Sequence, residues 1–540
     1  MEINSFLKLE YKRWTLGNLI LGLLILLPLF TLFYNFIFFD GSSFKHIFEN
    51  LIFDYTINTF YLTLITCFFS LIFGIFPAWI ISNYNLKGRL FYDLLLFLPL
   101  SIPSYIMAFT YSDILSFTGP VQSFFRNNLP QISIFLNKDF LQIEFLGILL
   151  SLALFPYVYT ASRISFSYLG SNYINLSKNL GLSSFKTFFK VILPLSKPAI
   201  LSGLFLVIME VLNEYGAVKY FGVNTYTTGI FRSWFSMGDP DSAIQLACIL
   251  LFFVLFLFIF ENKSNYKKKF HFKVNSKIQK LNSIGKGKNF IFHLICFLPS
   301  FFGFIIPFCY ILFNSISIIK KTDLFELLNL ILNSVGISVF SSFLIIIISI
   351  IFLFTEKLTK SKLNSFISQL ISLGYAIPGA VVSLGLIILF SGIQNNFFSI
   401  TIIGSFFLLV YAYIVRFLAV GISPIKSNLI KQPDSLNDTA KNLGLGPIKI
   451  FQKIQLPISK LALISAFTIT FVDLLKELPI TLILRPFNFD TLAVQTYEYA
   501  IEEMIPKSSI YSLAIVMLGT ILLIFLKKIV NKEIDVPKSK

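Results

Sequence analysis

Apolar positions along this chain run together in long blocks, separated by short polar and mostly basic stretches. Blocks long enough to cross about 30 Å of hydrocarbon recur twelve times. Their approximate limits are 16–39, 56–82, 91–116, 142–164, 199–221, 242–261, 290–316, 331–355, 366–391, 398–421, 460–484 and 508–530. A segment in lipid must satisfy its own backbone hydrogen bonds, so every block is predicted to be an α-helix. The first block follows Lys8, Lys12 and Arg13, is too long for a signal-peptide core and has no small-residue cleavage site after it, so it reads as a retained span. The fold class is therefore all-α, a membrane protein of about twelve transmembrane helices.

Composition agrees and narrows the class. Of the 540 residues, 56% are hydrophobic, 65 are Phe and only 13% are charged, against about 25% in soluble domains. An ordinary soluble enzyme and a disordered chain are excluded. The net charge of +17 comes from 44 Lys and Arg against 27 Asp and Glu. Most of these cations fall into loops on the N-terminal side of the spans, which predicts that both termini are cytoplasmic and that the excess meets anionic lipid; no basic-aromatic domain outside the spans points to nucleic acid. Cys67, Cys248, Cys296 and Cys309 lie inside apolar blocks, and His46, His271 and His293 are scattered, so neither type suggests a resident metal centre.

The chain repeats itself. KNLGLSSFKTFFKVILPLSKPA at 178–199 is matched by KNLGLGPIKIFQKIQLPISKLA at 441–462, and Asn58 and Pro103 have counterparts in Asn333 and Pro378. The stretch 262–289, with nine lysines and no acid, divides the spans six and six. Two halves are thus expected, 1–261 and 290–530, joined by a basic cytoplasmic linker and followed by a tail, 531–540. In the repeated loop Phe185, Phe188 and Phe189 fall at helical spacing beside Lys186 and Lys190, so the segment is amphipathic. Gly181 and Gly444 can supply a turn between two short helices, and Pro194 and Pro457 suit a break before the next span. One such loop would read as an interfacial helix; two, one per half, suggest a paired docking surface for a two-fold partner.

These loops resemble the cytoplasmic EAA loop of binding-protein-dependent ABC importer permeases, on Gly181, Val191, Leu193 and Pro194 and again on Gly444, Ile454, Leu456 and Pro457. The Glu-Ala-Ala that names the motif is replaced by Asn175-Leu176-Ser177 and Asp438-Thr439-Ala440. The resemblance implies two pseudo-two-fold-related halves, a coupling role for those eight residues, and a separate ATPase subunit under each half. The chain itself has no G-x-x-x-x-G-K-[ST] phosphate loop, and no cofactor is expected on it. The stretches FGVNTYTTGIFRSWF and LKELPITLILRPFNFDTLAVQTYE further resemble fused ferric-iron permeases, which implies iron(III) as cargo, a periplasmic iron-binding protein as partner, and the bacterial inner membrane as location.

The acidic residues lead toward a cation independently. Glu210 and Glu214 fall at i, i+4 within one block, and Asp473 and Glu477 occupy the equivalent positions of the repeat. An acidic group at a helix centre costs about 2.5–3.5 kcal/mol on insertion scales. The four therefore face a wet path, pair or protonate; in the structural alternative Glu214 or Glu477 pairs with Lys219 or Lys476, or caps a broken helix end. Ferric iron is a hard cation that favours oxygen ligands, and a transit site must be weak enough to release it. Arg163 and Arg416 read as span-end residues that snorkel to lipid phosphates. The outer segments 222–241 and 485–507, with Tyr226, Asp239, Asp241, Tyr497, Glu498, Glu502 and Glu503, read as gate and docking surface. The alternatives are an ABC permease for thiamine or an oxyanion, and an ion-driven secondary transporter, which would not need the paired loops.

Overall fold

The computed structural model describes residues 2–38, 41–129, 131, 139–266, 286–359, 361–371, 374–397, 402–433 and 435–535. Most of the expected linker, 267–285, and the end of the tail, 536–540, lie outside the described residues. The first part of the chain forms α1 (Glu2–Phe38), α2 (Ile52–Asn83), α3 (Arg89–Leu95), α4 (Ser104–Leu115), α5 (Ile143–Asn179), α6 (Leu193–Asn213), the short α7 (Gly216–Tyr220) and α8 (Tyr226–Phe231), and α9 (Pro240–Tyr266). The second part forms α10 (Lys286–Ser300), α11 (Ile306–Ile318), α12 (Leu324–Thr359), α13 (Lys362–Ile371), α14 (Gly379–Phe397), α15 (Phe406–Lys431), α16 (Leu456–Leu475), the short α17 (Pro479–Leu484), α18 (Leu492–Ile501) and α19 (Ile505–Asp535). Among the described residues ten helical runs are long and apolar enough to cross a membrane, and two bent pairs raise the number to twelve if each pair is one span.

The bent pairs correct two of the expected spans. The blocks at 91–116 and 366–391 turn by 92° and 111° instead of crossing straight. The bends fall at Pro103 and Pro378. A residue before proline is pushed out of the helical region, and Ile102 is accordingly extended, at φ −97° and ψ 112°. The blocks at 199–221 and 460–484 are also shorter than expected at their far ends, because α6 stops at Asn213 and α16 at Leu475.

The break expected at Pro194 and Pro457 is absent: helix is continuous over Ser184–Asn213 and Pro447–Leu475. Just before each proline the helix widens, so that Leu193 and Leu456 donate to the carbonyls five residues back, Phe188 and Phe451. That wider turn accommodates a ring that has no N–H and would otherwise crowd the preceding turn.

Two triads form the centre, α2–α5–α6 and α12–α15–α16, and each is completed by helices from the other part of the chain. Helix α1 crosses to pack on α12, α13 and α14, while α10 and α11 cross the other way onto α2, α3 and α4. Likewise α9 rests on α14, and α19 rests on α4 and the turn before it. Lipid gives no hydrophobic drive between helices, so such contacts depend on close packing and hydrogen bonds. Pro28 leaves the Leu24 carbonyl of α1 without its helical donor, and the Tyr411 hydroxyl from α15 supplies one. Thr31 donates to the Gly385 carbonyl at 3.1 Å, and on the opposite crossing Tyr310 donates to Asp113 at 2.6 Å. Large side chains left outside, such as Phe53, Phe60, Leu64 and Phe68 on α2 or Phe313 and Ile316 on α11, are exposed faces suited to lipid.

The match of Asn58 with Asn333 has a structural reason. Asn58 donates to the Asn224 carbonyl and Asn333 to that of Asp490, at 3.0 and 3.3 Å, so each pins the loop leading into α8 or α18. Arg163 does not snorkel. Its Nε lies 3.6 Å from Asp93, which also accepts from Tyr159 at 2.6 Å and pairs with Lys527 of α19 at 3.0 Å. Removing one partner of a buried ion pair costs about 3–5 kcal/mol, because the other is left uncompensated. Asp93→Ala should therefore lower the unfolding midpoint in detergent markedly, and adding Lys527→Met should restore part of the loss.

Candidate functional site: a charged cavity between repeated breaks, and two repeated loops

The breaks after α6 and α16 create the site. Glu214 is the residue at which α6 opens, with φ −66° and ψ 124°, and its Oε1 accepts from the Ala217 N–H at 2.9 Å. Glu477 does the same on the other side, accepting from the Ile480 N–H at 3.2 Å. Each carboxylate therefore caps the short helix that follows, α7 or α17, where unpaired N–H groups and the helix dipole favour negative charge. Their backbone carbonyls are also fixed alike, by the Thr227 hydroxyl at 2.8 Å and the Thr481 hydroxyl at 3.0 Å. The expected shared face with Glu210 and Asp473 is thus replaced by a different relation: Glu210 and Asp473 remain in the last helical turn, while Glu214 and Glu477 stand at the opened chain ends.

All four acids nevertheless line one cavity of about 50 Å³, with Tyr105, Asn213, Arg416 and Lys476 also in its wall. That is room for a few water-sized guests. Among the described residues no three Asp, Glu, His or Cys side chains converge as a metal-holding group. The repeat is broken in charge. Arg416 pairs with Glu477 at 2.7 Å, and Lys476 pairs with Asp473 at 2.8 Å. The equivalent positions in the first half are Ala153 and Asn213, which carry no charge. Glu214 accepts instead from the Ser104 hydroxyl, and Glu210 from the Tyr375 hydroxyl. Arg416, expected to reach lipid phosphate, is 2% exposed and belongs to this site. Nothing in the sequence spacing announces its pairing, since 61 residues separate it from Glu477.

Gly379 lets the two sides meet. A Cβ there would fall 2.7 Å from the Arg416 guanidinium and 2.9 Å from the Glu477 carboxylate. Its N–H donates to Asn213 at 2.7 Å, tying α14 to the end of α6.

The repeated loops share one geometry. Gly181 and Gly444 have φ of +74° and +77°, and the residues after them donate back to Ser177 and Ala440 at 2.9 and 3.1 Å. This is the left-handed helix stop that favours glycine. The glycines make the expected turn, but not between two short helices: Gly181 joins the long α5 to the long run into α6. The continuous helices that lead into α6 and α16 then begin at Ser184 and Pro447. Along the repeated loops Thr187, Phe188 and Ile450 are buried, whereas Leu180, Phe185, Leu443 and Ile448 are 54–79% exposed. Val191, Leu193 and Ile454 are half-buried; Leu456, Pro194 and Pro457 are exposed.

The outer segments are less open than expected. Tyr226, Asp239 and Tyr497 are buried, and Glu498 pairs with Arg485 at 2.7 Å, which leaves Glu502 and Glu503 exposed. Asp239 accepts from Ser42 Oγ at 2.9 Å, Ser43 N at 2.7 Å, and Ser242 Oγ and N at 2.7 and 3.1 Å. Burial alone raises its pKa, but these hydrogen bonds outweigh it and hold the carboxyl well below the usual carboxylate range.

A multi-span helical bundle with a polar cavity between repeated helix breaks, and with two like loops, is an arrangement suited to transport. Residues 70–262 and 353–536 each match the profile of the binding-protein-dependent transport system inner membrane component, and the chain belongs to that family. It is an integral, multi-pass inner-membrane protein and a permease subunit. It is 26% identical over 87% of its length to the Fe(3+)-transport system permease protein FbpB 2 of Haemophilus influenzae, covering 89% of that protein. It is also similar to sulfate transport system permease proteins CysT: 29% identical over 29% of this chain and 54% of the Salmonella typhimurium protein, and 26% identical over 37% of this chain and 71% of the Escherichia coli protein.

Two outcomes follow from the site. Arg416→Met should destabilise the bundle by about 3–5 kcal/mol, and Glu477→Met on top of it should recover most of the loss in a detergent unfolding assay. The lowered pKa of Asp239 means its stabilisation is complete above the ordinary aspartate pKa of about 3.9 and is lost only as pH falls through the lower folded value. In a pH series of unfolding midpoints, the advantage of the native chain over Asp239→Asn should hold at neutral pH and shrink only below about pH 4.

Proposed function

We propose that this chain is the membrane-spanning subunit of an ATP-driven importer that carries ferric iron from a periplasmic binding protein into the cytoplasm. The relative named for Fe(3+) transport is matched along nearly its whole length, whereas the sulfate relatives match only parts of this chain. The observation that carries the cargo is the charge left over in the cavity. Asp473 and Glu477 are paired with Lys476 and Arg416, whereas the hydrogen bonds of Glu210 and Glu214 among the described residues come from neutral hydroxyls and a backbone N–H. An oxyanion would need the two cations free, and both are engaged. We read the cavity as part of the cargo path, with Glu210 and Glu214 as its cation-facing carboxylates and Asp473 and Glu477 as internal counter-ions.

The two loops supply the drive in this reading. Each offers an exposed leucine and an exposed Phe or Ile beside lysines, a surface suited to a groove on a separate ATPase subunit, one subunit beneath each half. Gly181, Val191, Leu193 and Pro194, with Gly444, Ile454, Leu456 and Pro457, form the two hooks. The halves are 1–261 and 290–530, and both termini lie with the loops on the basic, cytoplasmic side. Closure of the ATPase pair on ATP draws the hooks together and rocks the halves between outward-open and inward-open states. Cargo biases this equilibrium only through its different affinity for the two states.

Binding-protein-dependent uptake of labelled iron into membrane vesicles tests the path. Glu210→Gln with Glu214→Gln should reduce it roughly tenfold or more. Undiminished uptake in that variant would remove the cavity from the path, and sulfate uptake in place of iron would remove the cargo. For the hooks, Phe185→Asp with Ile448→Asp should abolish co-purification of the ATPase while leaving the unfolding midpoint unchanged, since both side chains are exposed.

A further inference from the structure

Tyr105 lines the same cavity as Glu210 and Glu214, is 3% exposed, and its hydroxyl has no hydrogen-bond partner among the described residues. A buried phenol without a partner is costly to keep and is unlike its neighbours in the bundle. Tyr111, two turns further along α4, donates to the Phe302 carbonyl at 2.6 Å. Tyr159, Tyr310, Tyr375 and Tyr413 are also bonded, to Asp93, Asp113, Glu210 and Thr481. The ring of Tyr105 is held tightly at its base, because a Cβ on Gly216 would fall 2.8 Å from the Tyr105 Cβ. The tyrosine is therefore fixed against the opened end of α6, where Glu214 stands.

We infer that Tyr105 is a third oxygen ligand of the cation in transit, completing with Glu210 and Glu214 a site for a hard trivalent ion. The inference rests on the reading of the cavity as a ferric-iron path. Two carboxylates and one phenolate carry three negative charges, which match one Fe³⁺. On binding, one Fe–O bond forms and the phenol O–H breaks, and the proton leaves on a water displaced from the ion; no electron is transferred. A divalent ion is already balanced by the two carboxylates and acidifies the phenol far less, so bonding through the phenolate favours the trivalent state. Oxygen donors suit such an ion, and so small a set from one half of the repeat leaves it free to exchange.

The full chain in nanodiscs, titrated with ferric nitrilotriacetate, supplies a direct readout, because a ferric phenolate absorbs visible light through ligand-to-metal charge transfer. The band is expected in the native protein and in Tyr111→Phe, which loses a bonded phenol on the same helix, and is expected to vanish in Tyr105→Phe. Vesicle uptake of labelled iron with the binding protein and the ATPase should fall roughly tenfold in Tyr105→Phe and stay at the native level in Tyr111→Phe. Co-purification of the ATPase with Tyr105→Phe shows that this variant is folded. Native-level uptake and an unchanged band in folded Tyr105→Phe overturn the inference while the ferric reading stands. Absence of iron uptake by the native complex overturns both.

Discussion

Six charged side chains share one small cavity inside a bundle with little other charge, and their mutual balance is the constraint on which the rest of the structure depends. A lone ion in a medium of low dielectric is expensive, so each must find a partner, a cap or a guest. The second half answers with Arg416 and Lys476. The first half answers with hydroxyls and a helix N-terminus. The breaks in α6 and α16 follow from the same requirement, because a carboxylate at an opened chain end can cap α7 or α17, whereas one within a continuous helix finds every N–H already used.

Much of this architecture was legible in the sequence. The apolar blocks located the spans, since in lipid length and hydropathy leave the backbone little choice but helix. The loop repeat was equally plain, and Gly181 and Gly444 make the turn expected of them. Even the isolated match of Asn58 with Asn333 marked a shared task. The misplaced span ends and bends have a common origin. Hydropathy averages over a block and is blind to direction, so the bends at Pro103 and Pro378 were read as straight crossings. The same averaging carried the fifth and eleventh spans past Asn213 and Leu475, and so placed Glu214 and Glu477 on a helix face.

Partners distant in sequence were the other blind spot. Arg163 and Arg416 looked like interfacial anchors because each stands alone in its own block. In space Asp93 lies beside the first and Glu477 beside the second. The loss of repeat symmetry at Ala153 and Asn213 was visible in the letters but gained meaning only once the two cations were seen to quench half of the acids. Tyr105 gave no signal at all: its distinction is a missing bond, which only three-dimensional placement can reveal.

The exchange of outer helices bears on how the molecule is assembled. Because α1 packs on the second triad and α10 packs on the first, α1 stays uncovered until the second triad is made, and the first triad keeps an open flank until α10 is made. Insertion into the bilayer must therefore run ahead of folding, and the earlier-synthesised triad waits with an open side. Carrying both on one polypeptide guarantees that the awaited counterpart arrives at once and in equal number.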